Sequence, residues 1–100
     1  MNPEFIFQPA ARQEFAGAIA WYDKERPGLG KAFAEEVYQT LERAQAHPER
    51  FRKVRGRARK IRLQRFRTYS IYFAIKDYVF SVISVFHGSR NPDVLRQRLE

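Results

Sequence analysis

The sequence predicts an α+β fold: a small, antiparallel-rich β-sheet packed by an N-terminal helical hairpin, in the order β-α-α-β-β-β-α. Three observations predict it. Apolar residues recur every three or four positions across the first half of the chain. They alternate with polar residues in the second half. The stretch from Val79 to Phe86 is almost continuously apolar, β-branched or aromatic, as a central strand covered on both faces would be.

Each element has its own signal. Glu4-Phe5-Ile6-Phe7-Gln8 reads as a short strand fenced by Pro3 and Pro9. Pro9 also suits the first turn of a helix, where its missing N–H costs nothing. Ala11, Phe15, Ala18, Ile19 and Tyr22 then follow helical spacing, and the pattern stops near Glu25. Pro27-Gly28-Leu29-Gly30 is a turn and a new helix start. Phe33, Val37, Leu41 and Ala44 repeat at helical spacing, with Glu35, Glu36, Glu42 and Arg43 off that line. His47-Pro48 ends the second helix, because the residue before proline disfavours the helical conformation. So short a link between two amphipathic helices predicts an antiparallel hairpin.

The period then changes. Phe51 to Arg55 is a candidate short strand, broken by Gly56. Ile61 and Leu63 alternate with Lys60, Arg62 and Gln64, and Tyr69, Ile71, Phe73 and Ile75 alternate with Ser70, Tyr72 and Ala74. Lys76-Asp77 reads as a tight turn. Asn91-Pro92-Asp93 supplies an N-cap, a proline at the first helical position and an acid in the first turn of a short C-terminal helix. No repeat, low-complexity stretch or linker interrupts the chain, so residues 1–100 read as a single domain.

A chain of 100 residues buries roughly 60–68% of the surface it exposes when unfolded, and nine Phe and five Tyr are available to fill one core. The absence of cysteine excludes disulfides, thiolate zinc sites and a Cys nucleophile. No apolar run approaches the ~20 residues of a membrane span, and Met1-Asn2-Pro3-Glu4 lacks the basic start of a signal peptide. The expectation is a cytoplasmic protein without membrane contact.

The charge is lopsided and local. The chain carries 19 Lys+Arg against 11 Asp+Glu, a net of +8. Ten basic residues and no acid fall within the eighteen positions from Arg50 to Arg67, leaving a net of −2 elsewhere. Arg55, Arg57, Arg59, Lys60, Arg62, Arg65 and Arg67 are the candidate anion-binding residues of this ribbon. Arg predominates, and its planar fork grips phosphate or carboxylate with two bonds. The pattern predicts one cationic surface for nucleic acid or an acidic partner. A plain solvated face would mix the signs.

At the end of the last strand His87-Gly88-Ser89-Arg90 offers a group that titrates near neutrality and a cation. The plainer reading has His87 bonded to turn backbone and Arg90 paired with Asp93. No paired-carboxylate motif, metal-ligand cluster, nucleophile elbow or phosphate loop is present, so neither a metal nor a cofactor is expected. Gly28 and Gly30 mark a turn rather than a nucleotide motif, and His47 suits a helix C-cap. A catalytic reading is therefore metal-free RNA cleavage by the RNA's own 2′-OH, with His87 as one proton carrier and Tyr69 or Tyr72 as candidates for the second.

The chain resembles the RelE/ParE superfamily of toxins from type II toxin–antitoxin modules, the ParE-like branch in particular. The resemblance rests on Pro9-Ala10-Ala11, Trp21-Tyr22 before Pro27-Gly28-Leu29-Gly30, Phe33, Val37 and the His47-Pro48 stop. It continues through Arg62-Leu63, Arg65-Phe66, Tyr69 to Phe73 and Val85-Phe86-His87-Gly88-Ser89-Arg90-Asn91-Pro92. It implies a toxin that halts growth when free and is neutralised by a cognate, acidic antitoxin in a higher-order complex. ParE-type relatives poison DNA gyrase; RelE-type relatives cut mRNA in the ribosome without a metal. By position His87, Arg90, Arg62 and Arg65 resemble the superfamily's active-site region, and they are catalytic only under the RelE-type reading. RelE-type nucleases usually place a Tyr or second acid–base residue where Gly88-Ser89 follow His87, so the resemblance favours gyrase over mRNA, and toxin over a non-toxic nucleic-acid-binding module.

Overall fold

The computed structural model describes residues 5–99; Glu4 and Glu100 lie outside them. The chain forms β1 (Ile6–Phe7), α1 (Pro9–Glu25), α2 (Leu29–Ala46), a 3-10 turn at Pro48–Arg50, β2 (Arg52–Arg55), β3 (Ala58–Arg62), β4 (Tyr69–Lys76), β5 (Val79–His87) and α3 (Pro92–Leu99). The sheet order is β1-β5-β4-β3-β2, with β1 parallel to β5 and every other pair antiparallel.

The α+β class and the helical hairpin stand as expected, but four strands rather than three follow the hairpin. The added one is β2, the Phe51 to Arg55 stretch. All four of its residues are exposed, so it has no apolar alternation to announce it, and its ladder to β3 makes it a strand. The first strand shrinks to Ile6–Phe7.

The two sheet faces are unequal. One face packs Ile61, Ile71, Phe73, Phe80, Val82 and Val85 against Ala11, Phe15 and Ala18 of α1 and Phe33, Val37 and Leu41 of α2. Phe33 and Phe73 are fully buried there, and Phe73 stacks on Phe80 with ring centroids 4.7 Å apart. The other face holds a smaller cluster of Ala58, Tyr72, Ile83 and Phe86 under Leu95 of α3. Asn91 caps α3 as predicted, its Oδ1 accepting the Asp93 N–H at 3.0 Å. The tight turn falls one residue later than expected, at Asp77-Tyr78; both have positive φ, as a two-residue type I′ hairpin turn requires.

Gly28 and Gly30 do different work. Gly28 adopts φ +89° where the chain reverses between helices. Gly30 sits where α2 crosses α1: a Cβ there would lie 2.4 Å from the Ile19 carbonyl oxygen and 2.9 Å from the Asp23 carboxylate. Asp23 Oδ1 accepts the Gly30 N–H at 2.9 Å, placing a carboxylate at the N-terminus of α2. Gly30→Ala is expected to lower unfolding stability by about 1–3 kcal/mol through overpacking. A denaturation midpoint equal to the parent's would contradict that close approach. None of the described helices is long and apolar enough to cross a membrane.

Candidate functional site

The antiparallel register brings the end of β3, the start of β4 and the end of β5 side by side. Arg62 stands opposite Ser70, Ser70 opposite Phe86, and Tyr69 opposite His87. Arg62, His87 and Arg90 thus lie at one end of the sheet, although His87, opposite Tyr69, is on the hairpin-side face and Arg62 is on the other. Arg55 and Arg57 lie at the other end, beyond Ala58; the four steps from Ala58 to Arg62 span about 13 Å.

Strand alternation divides the cationic ribbon between the two faces. Opposed residues share a face. Arg59 is opposite the core residue Phe73 and faces the hairpin, and Lys53 is opposite Arg59. Lys60 is opposite Tyr72 and faces α3, and Arg52 is opposite Lys60. Arg62 and Ser70 continue that second, open face. A bulge between Lys53 and Arg55 shifts the register, so Arg55 pairs with Ala58 and joins the open face instead of following Lys53. The one surface expected from sequence is therefore two.

Local contacts fix several of these cations. Lys60 Nζ lies 5.8 Å from the centroid of the Tyr72 ring. Arg62 Nε donates to the Arg67 carbonyl at 2.9 Å, which folds the β3–β4 connection back on itself. Arg65 lies over the Phe66 ring, on the α2 side of that connection. Its backbone is held from α2: Glu36 accepts the N–H groups of Gln64 at 2.7 Å and of Arg65 at 3.1 Å. Glu36, off the apolar line of α2, thus anchors this loop.

On the open face a groove of about 700 Å³ has a floor that includes Ala58, Ala74 and Ile83, with Arg57, Lys76 and Arg98 among its lining cations. Among the described residues, no acid lines it.

Glu14 of α1 organises the edge of β5. β1 is only two residues long, so the edge of β5 beyond Val82 lacks a strand partner on that side. A bulge at Ile83, where Val82 and Ser84 oppose the consecutive residues Phe73 and Tyr72, turns backbone groups toward that edge. Side chains take them up. Glu14 accepts the Val85 N–H at 3.1 Å and the Ser84 hydroxyl at 2.8 Å, and Arg98 donates to the Ile83 carbonyl. Arg98 Nη1 also donates to Glu14 at 2.8 Å, and Arg90 pairs with the same carboxylate. Burial works to raise the Glu14 pKa. Bonds from Arg98 and Ser84, the Arg98 charge and the bond from Arg90 outweigh it, holding the carboxyl below its ordinary 4.5.

Arg90 therefore pairs with Glu14, not with Asp93, and lies 4.9 Å over the Phe86 ring. Asp93 pairs with Arg96 at 2.8 Å. His87 Nδ1 accepts the Ser89 N–H at 3.0 Å and lies 2.8 Å from the Ser89 hydroxyl. Those bonds use the Nδ1 lone pair, so the neutral ring presents Nε2–H, a donor. The ring stands edge-on to Tyr69 with centroids 5.0 Å apart. Burial first, and then the neighbouring Tyr22, raise the Tyr69 phenol above its ordinary 10.0 against the opposing Arg90 charge, so it stays protonated at neutrality. The other candidate proton carrier, Tyr72, is buried on the opposite face.

The arrangement is a cationic, donor-rich end of a sheet. The family model described as the ParE toxin of type II toxin–antitoxin systems, parDE, matches residues 5–92. The chain belongs to the ParE toxin family. It is thereby a toxin of a type II toxin–antitoxin system, within the RelE/ParE superfamily. Among solved structures, a mutant of the E. coli toxin RelE in complex with a peptide of the antitoxin RelBc matches with a TM-score of 0.62 at 23% identity. The match covers 100% of this chain and 97% of that chain, and the likeness is one of fold. No curated protein matches the sequence.

Sequence reasoning missed Glu14 and Arg98. A signal for Glu14 existed: it lies three residues after Ala11 and four before Ala18, on the buried line of α1. An acid on an apolar stripe implies a buried partner.

Proposed function

We propose that this ParE family toxin arrests growth by poisoning DNA gyrase, using the open-face end of its sheet. Arg62 and Lys60 supply charge to the target complex, and Arg90, held by Glu14, shapes the same end. The observation that carries the reading is the ParE family match over residues 5–92. The state of His87 supports it: its Nδ1 lone pair is engaged by Ser89, so the ring is a poor general base as it stands. Tyr69, held protonated, does not supply the missing base.

The second reading is a ribosome-dependent, metal-free mRNA endoribonuclease. The fold likeness to RelE and the His87–Tyr69 pair favour it. In that case His87 Nε2–H is the acid for the leaving oxygen, and Arg62, Arg65 and Arg90 stabilise the phosphorane. Cut mRNA in a translating extract, with gyrase unaffected, would establish this reading in place of the first.

The cognate antitoxin is the second partner. An acidic, apolar-faced segment suits the open-face groove, with carboxylates opposite Arg57 and Lys76. Expression of the toxin alone is expected to stop growth, and co-expression of the neighbouring gene to restore it. A complex whose antitoxin acids lie away from Arg50–Arg67 would contradict this placement.

A further inference from the structure

We propose that the hairpin-side face of β2 and β3 carries an oxyanion site that takes a single phosphate group, formed by Lys53 and Arg59 together with Arg57 of the intervening turn, which also borders the open-face groove. A cavity of about 230 Å³ is lined by these three cations with Pro48 and Ile75, and among the described residues no acid lines it. The cations come from β2, the β2–β3 turn and β3. Lys53 and Arg59 stand directly opposite each other in the ladder, an arrangement of like charges that costs stability unless an anion lies between them.

Among the described residues, neither Lys53 nor Arg57 has an ion-pair partner. Arg59 Nη1 donates to the Phe51 carbonyl at 2.7 Å. That bond fixes its fork and leaves its remaining N–H groups for a ligand. The bulge that sends Arg55 to the open face leaves Lys53 on this side, so the site is built by the register.

Size and donor count select the ligand class. The cavity is smaller than the ~300–1,000 Å³ of pockets that enclose whole small molecules, so it suits one group and not a nucleotide. A carboxylate is fully served by one Arg fork. Three converging cations match a phosphate, with its larger charge and its additional oxygens. The site faces away from Lys60 and Arg62 and does not depend on which target the toxin engages; growth arrest tests that reading, and phosphate binding tests this one.

The test is titration of the purified full chain with inorganic phosphate, followed on backbone amide NMR signals. Saturable shifts are expected at Lys53, Arg57, Arg59 and Ile75. Lys53→Gln combined with Arg57→Gln is expected to weaken binding about tenfold, and Lys53→Gln alone about threefold. Lys24→Gln on the exposed surface of α1 should leave binding unchanged. A 5′-phosphorylated dinucleotide and its unphosphorylated form separate the sources of the group. Binding of the first alone supports a terminal phosphate, and binding of both supports an internal phosphodiester. Absence of saturable shifts at these amides, equal saturation by acetate, or an equal loss in Lys24→Gln overturns the proposal.

Discussion

Replacing Lys60 and Arg62 together by alanine is expected to abolish growth arrest while the protein stays folded. Both side chains stand on the open face, Lys60 beside the Tyr72 ring and Arg62 opposite Ser70. Neither belongs to the core, so the fold loses one cation–π contact and one bond from Arg62 to the Arg67 carbonyl. Those losses are worth about 1–2 kcal/mol together. On the proposed function the target complex is expected to lose far more. A hydrogen bond to a charged group contributes about 1.5–3 kcal/mol, so two such losses weaken association by about a hundredfold or more. Arg62→Ala with Arg65→Ala is expected to act the same way, with the loss following Arg62, because Arg65 lies on the α2 side of its loop. Survival of cells expressing each variant, together with its unfolding midpoint, checks this. Full toxicity in the Lys60/Arg62 variant would remove the open face from the account.

Glu14→Ala is expected to be the most destabilising single substitution outside the aromatic core. The Glu14 side chain is 13% exposed and that of Arg98 20%. Removal of the carboxylate leaves Arg98 without its acid and the Val85 N–H without its acceptor. Truncating one member of such a pair costs about 2–4 kcal/mol, somewhat below the fully buried case. Glu14→Gln keeps the volume and one acceptor and is expected to lose less.

The pH dependence follows with a definite sign. The folded Glu14 carboxyl titrates below its ordinary 4.5, to which unfolding returns it. Its contribution is therefore complete above about pH 4.5 and is lost as pH falls through the folded value. Parent stability should drop more steeply than that of Glu14→Gln on acidification, and identical acid limbs in the two proteins would show that the network carries no such linkage. Because Glu14 holds both Arg90 and α3, the variant should also loosen the C-terminal helix, read as faster amide exchange at Leu95.

Legibility in the sequence tracked the apolar pattern. α1, α2, β4 and β5 bury one face or both, and periodicity found each of them. β2 buries nothing, so the sequence offers Phe51 to Arg55 only as a candidate, and the ladder to β3 makes it a strand. The same limit applied to the site. The ribbon was visible as a charge run, but its division between faces depends on register and on a bulge at Val54, neither of which composition encodes. His87 and Arg90 were read as neighbours of a strand end. The bond of His87 to the turn backbone at Ser89 is local and legible, whereas the Glu14 partner of Arg90 depends on a contact between residues 76 positions apart. Gly30 read as part of a turn signal, whereas its constraint is the carbonyl of Ile19 on another helix.

The proposed action of this ParE family toxin on gyrase, from the open face of its sheet, is open to direct assay. The most direct measurement incubates the purified protein with DNA gyrase and supercoiled plasmid, then traps any cleaved DNA with detergent and protease. Linear DNA is expected to accumulate with added toxin and not with the Lys60/Arg62 variant. Unchanged gyrase, together with cleavage of translating mRNA by the same preparation, would contradict it.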